Sequence, residues 1–132
     1  MRGLVIGQQA SATRIFTVED VAAYRALTGD VALGFGERTV SPSLSASVPG
    51  PLLAGMFSDL LGTKLPGRGT NWLKQQLQFP TIAHVGETIT ATVEITRLRP
   101  EKDLVNLRTT CTTSAGTTVC SGESLVWVSD LE

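Results

Sequence analysis

Apolar and polar residues alternate most cleanly in the second half of the chain. In ETITATVEITRL, Ile89, Ala91, Val93 and Ile95 point one way and Thr90, Thr92, Glu94 and Thr96 the other, the period-two signature of a strand with one buried face. DLVNLRTTCTT and TTVCSGESLVWV read as two further strands, joined by a turn at Ala115-Gly116. TNWLKQQLQF also alternates, setting Trp72, Lys74, Gln76 and Gln78 against Leu73, Gln75, Leu77 and Phe79. A short strand is expected over SATRIF, residues 11–16.

Two segments carry the helical period instead. Thr17 stands before Val18, Glu19 and Asp20, an N-cap followed by acids where the helix dipole favours them. Val18, Val21, Ala22 and Leu27 form the expected apolar face, and Gly29 the expected stop. Asp30 then falls just beyond a helix C-terminus, an unfavourable place for a carboxylate without a specific partner. Residues 31–47 are rich in Gly, Ser and Pro and show no period; loops of this length in a compact domain usually serve function.

The second helix is announced by VPGPLLAGMFSDLLG. Pro51 suits a first turn, where its missing N–H costs nothing. Leu52, Leu53, Ala54, Met56, Phe57, Leu60 and Leu61 cover most of the circumference, so this helix must be wrapped by other structure. Gly62 is its expected end. Antiparallel strands around one apolar helix make an α+β domain.

Composition narrows the function classes. The 132 residues are expected to form one domain, residues 1–132, with 42% hydrophobic and 17% charged residues, the balance of a globular protein. A net charge of −1 with scattered Lys and Arg argues against nucleic acid or an anionic membrane surface as partner. No apolar run approaches the roughly 18 residues of a membrane span. The N-terminal apolar stretch is too short for a secretory signal, so a cytoplasmic protein is expected. Cys111 and Cys120 fall opposite each other across the hairpin; the reading is two buried free thiols, with a cross-strand disulfide as the alternative. With a single histidine, His84, distant in sequence, no zinc site is expected.

Four segments in order, FTVEDVAAYRALTGD, MFSDLLGTKLPGRGT, LQFPTIAHVGETITATVEITRLRPEK and GESLVWV, resemble the MaoC-like, (R)-specific enoyl-CoA hydratase branch of the hotdog fold. The resemblance spans essentially the whole chain. It implies a curved antiparallel β-sheet wrapped around the central apolar helix, and a dimer with a continuous sheet. It further implies that an Asp and a His in an Asp-x-Asn-Pro-x-His loop activate water for addition to a trans-2-enoyl thioester. A glycine N–H at the start of the central helix would polarise the thioester carbonyl, and a helix serine would line the pocket. CoA or a phosphopantetheine arm would carry the substrate, with no cofactor.

Carried over residue by residue, Asp30 matches the family's Asp, Gly50 the glycine and Ser58 the serine. Phe35 stands where the family has its catalytic histidine, Ala32-Leu33 replaces Asn-Pro, and Pro49-Gly50-Pro51 replaces His-Gly-Met. General acid–base groups contribute a factor of about 10²–10⁴, so this loss bears directly on activity. Asp30 would have to take and return the proton alone, and desolvation by Val31, Leu33 and Phe35 would make it a stronger base. Val31, Leu33, Phe35 and Ser58 are accordingly the expected substrate-binding residues. His84 falls in the turn before the Ile89 strand and is expected at the surface. Lys64 and Arg68 are expected in a solvated loop, with contact to substrate phosphates as the alternative.

Three functional readings follow. The first is a hydratase or dehydratase acting through Asp30 and Gly50. The second is a non-catalytic acyl-thioester-binding subunit, paired in a heterodimer with a complete hydratase. The third is a hotdog enzyme of changed chemistry, such as an isomerase, cyclase or thioesterase.

Overall fold

A computed structural model describes residues 3–29 and 47–128. Strand β1 (Gln9–Ile15) leads into helix α1 (Val18–Thr28), and α2 (Gly50–Thr63) precedes β2 (Asn71–Gln78), β3 (Thr88–Arg99), β4 (Leu104–Thr113) and β5 (Thr118–Trp127). The strands form one antiparallel sheet in the order β1-β3-β4-β5-β2. A 3₁₀ turn, Pro100–Lys102, links β3 to β4.

The sheet follows the alternation in the sequence. Ile89, Ala91, Val93 and Ile95 on β3, with Val105, Leu107 and Cys111 on β4, have no exposed surface. They meet the α2 face formed by Leu53, Met56, Phe57, Leu60 and Leu61. Full burial of such a side chain stabilises by about 1.5–3 kcal/mol, so this one helix face anchors the domain.

Local expectations are corrected at four places. β1 begins at Gln9 and ends at Ile15, because its register against β3, Gln9↔Glu94 to Ile15↔Thr88, sets the boundaries. Only Val21 of α1 is buried, whereas Val18 and Ala22 are exposed and Leu27 is 87% exposed. The apolar spacing was present, but little of the described chain packs on that helix. Gly62 does not end α2, which runs to Thr63 with Lys64 as a right-handed C-cap. The helix is closed instead by the Leu65 and Gly67 N–H groups, donating to the Leu60 and Leu61 carbonyls. The left-handed residue is Gly67, at φ 107°.

The fourth correction concerns β2. Its register against β5 shifts between Trp72 and Lys74, so Trp72 pairs with Val126 and Gln75 with Ser124. A bulge at Leu73 brings Trp72 onto the same face as Gln75 and breaks the strict alternation. Cys111 and Cys120 are direct Cα partners, buried and free as expected.

Candidate active site

The sequence candidates lie around the end of α1 and the start of α2. The Thr17 hydroxyl accepts from the Asp20 N–H at 3.1 Å and the Asp20 carboxylate accepts from the Thr17 N–H at 2.9 Å, a closed capping box. Gly29, at φ 77°, ends the helix with its N–H donating to Arg25. Asp30, Val31, Leu33 and Phe35 lie outside the described residues.

The returning chain is held to the segment that precedes β3. Ser47 bridges His84, and the Val48 N–H donates to the Ala83 carbonyl at 2.7 Å. Pro49 caps α2 without a side-chain hydrogen bond, Pro51 has no N–H, and the Leu52 N–H donates to Pro49. Gly50 is therefore the first-turn donor that no acceptor among the described residues takes. A helix N-terminus with one free N–H suits a carbonyl oxygen developing negative charge.

Gly50 is also fixed by its neighbour. A Cβ there would stand 2.7 Å from Phe79 Cζ and 2.9 Å from Cε1, so a side chain at this position requires the Phe79 ring to shift. Ser58, two turns further along α2, sits on the exposed side of the helix. It is not among the described residues lining the cleft beside α2.

That cleft, of about 580 Å³, opens between β1, α1 and α2. Tyr24, Leu27, Leu52 and Met56 give it apolar walls, and Arg14, Asp20 and Asp59 give it charge. Arg14 lies 3.7 Å from Asp20 and its guanidinium stands over the Phe16 ring. The hydrogen bond from the Thr17 backbone holds the Asp20 carboxyl below its usual range. Asp20 is thereby committed to its helix cap and is a poor proton donor near neutrality.

The remaining candidates stay apart from this place. His84 is half-exposed, its Nδ1 lies 3.4 Å from Glu87 and its backbone N–H donates to the same carboxylate. The Lys64 ammonium donates to the Ser11 carbonyl at 3.3 Å and Arg68 is exposed. A hydrogen bond to Cys120, and then burial, push the Cys111 thiol well above its usual range. No cluster of metal-ligating side chains occurs among the described residues, and no described helix is long and apolar enough to cross a membrane. The contact of Phe79 with Gly50 was not legible in the sequence, where Phe79 was one more alternating strand residue.

No protein-family model matches the chain. It is similar to an (R)-specific enoyl-CoA hydratase of Aeromonas caviae, 37% identical over 132 residues, covering 95% of this chain and 96% of that protein. A second (R)-specific enoyl-CoA hydratase, from Rhodospirillum rubrum, is 39% identical over 127 residues, covering 92% of this chain and 86% of the other. The solved structure of the (R)-hydratase from A. caviae involved in PHA biosynthesis superposes with a TM-score of 0.87 at 36% identity, covering 97% of this chain and 99% of that one. The α+β architecture is that of the hotdog fold, and the chain belongs to the (R)-specific enoyl-CoA hydratase family, lyases of the hydratase and dehydratase type.

Proposed function

We propose that the chain adds water to trans-2-enoyl thioesters, and removes it in the reverse direction, with Asp30 as the single acid–base group and the Gly50 N–H as the carbonyl donor. The observation that carries this reading is the unclaimed Gly50 N–H at the start of α2, between two prolines that leave no competing donor beside it. The names of the relatives supply the substrate class. Asp30 takes a proton from water as the oxygen bonds to C3, and the alkene electrons move toward the thioester oxygen. The Gly50 N–H stabilises the resulting enolate, and the Asp30 carboxyl then delivers its proton to C2. Water is added in full, and no cofactor is consumed beyond the CoA or phosphopantetheine arm that carries the acyl group.

Phe35 in place of the family's histidine leaves one carboxyl to do both transfers and makes the acyl end of the site more apolar. Val31, Leu33 and Phe35 are proposed to contact the acyl chain, as is Ser58 once a second copy covers its side of α2. The dimer is proposed to form along β2, an edge strand whose Trp72 and Leu73 are exposed and which would otherwise leave unpaired backbone groups in water.

The test is hydration of crotonyl-CoA and a longer enoyl-CoA, followed by loss of the conjugated thioester absorbance, in wild type and Asp30→Asn. Unchanged turnover in the variant sinks the assignment. Phe35 also motivates a second reading, a non-catalytic subunit of a heterodimer. An inactive wild type that gains turnover in Phe35→His would favour it.

A further inference from the structure

The ring of Phe79 packs against Gly50, the residue whose N–H the proposed reaction uses. The three ring atoms nearest to a Cβ built on Gly50 are Cζ, Cε1 and Cε2, at 2.7, 2.9 and 3.3 Å. All belong to the far end of the ring, which therefore meets the glycine with its tip. Phe79 itself is 49% exposed, so much of its surface is turned away from the core.

The ring is positioned from both sides in the chain. On one side, Gln78 ends β2 in register with Ser121. On the other, Ala83 accepts the Val48 N–H two residues before Gly50. The loop from β2 thus starts on the sheet and finishes on the strut that leads into α2. Core packing alone gives no reason for a half-exposed aromatic tip against a helix-starting glycine.

Resting on the hydratase reading of the α2 N-terminus, we propose that Phe79 is a positioning residue for the thioester. Its ring excludes water from one side of the Gly50 N–H and presents a flat apolar surface to the planar enoyl thioester. A hydrogen bond from that N–H is stronger where water is kept away. An aromatic surface favours a flat conjugated group in an offset or edge contact. A side chain at Gly50 would displace the ring from this place.

The experiment compares wild type with Phe79→Tyr, Phe79→Leu and Phe79→Ala. Two readouts are taken: turnover of crotonyl-CoA, and the red shift of 2,4-hexadienoyl-CoA on binding, which reports carbonyl polarisation without turnover. Leu and Ala are expected to lower kcat about tenfold with KM within about twofold, and to lose most of the red shift, while Tyr retains both. Light scattering on the same samples gives their mass. The proposal is overturned if Leu keeps wild-type kcat and shift, or if the loss is confined to variants whose mass has changed, since either means packing alone. A wild type that shows no turnover but a red shift dependent on an aromatic at 79 removes the hydratase reading and leaves this inference standing. A wild type with no red shift and no turnover removes both.

Discussion

Gln75 reaches across a neighbouring strand to Thr109: its Nε2 donates to Thr109 Oγ1 at 3.1 Å, although β5 separates their strands in the sheet. On β5, Ser124 pairs with Gln75, and Gly122 pairs with Thr109 on one side and Leu77 on the other. A Cβ at Gly122 would stand 2.7 Å from the Gln76 carbonyl carbon, so glycine lets β2 lie close. Trp72 Nε1 and the Ser124 hydroxyl both donate to Gln75 Oε1. Thr109 and Ser124 have no exposed surface, and this one amide satisfies both while tying the Leu73 bulge to the sheet.

Replacing Gln75 by Leu removes that amide and leaves two buried hydroxyls short of partners. The expected loss is roughly 2–3 kcal/mol, read as a lower urea midpoint with an unchanged m-value. Gly122→Ala is expected to cost at least as much, because the opposing atoms are backbone and cannot turn aside. Wild-type midpoints in both variants would show the network to be incidental.

Turnover should depend on Asp30 and respond at Phe35. Asp30→Asn is expected to lower kcat for crotonyl-CoA hydration by about 100-fold. Phe35→His restores a second acid–base group and is expected to raise kcat. An unchanged rate in Asp30→Asn would assign the chemistry elsewhere.

The capping box of α1 gives a pH-dependent stability of definite sign. Thr17→Ala is expected to cost about 1 kcal/mol. Asp20 is held below its usual range chiefly by the Thr17 backbone N–H, so the unfolded chain binds its proton more readily than the folded one. Its contribution is complete above the unfolded pKa, near about 4. It fades as pH falls through the lower folded value. The urea-midpoint gap between wild type and Asp20→Asn should therefore shrink between about pH 6 and about pH 3; a constant gap would contradict the cap.

Cys111 and Cys120 should resist a thiol reagent in the native protein. Both are buried. The hydrogen bond to Cys120, with burial, keeps Cys111 in its thiol form, the thiolate being the reactive species. Cys120, which the same hydrogen bond favours as thiolate, is protected by burial. Ellman's reagent is expected to react slowly before unfolding and with both thiols in guanidinium. Rapid native reaction would mean that the hairpin opens.

Much of this protein is settled locally. The alternation of β3, the all-round apolar α2, the Thr17 cap and the Gly29 stop depend on residues a few positions apart, so their physics lies within a short window of sequence. The opposition of Cys111 and Cys120 follows from counting outward from one turn. Tertiary structure decided what distant residues do to each other. The Leu73 bulge depends on β5, and the exposure of Leu27 depends on what α1 does not meet. The close contact at Gly50 depends on Phe79, 29 positions later in the chain. Periodicity states which residues could share a face; only the packed fold fixes which surface that face finds.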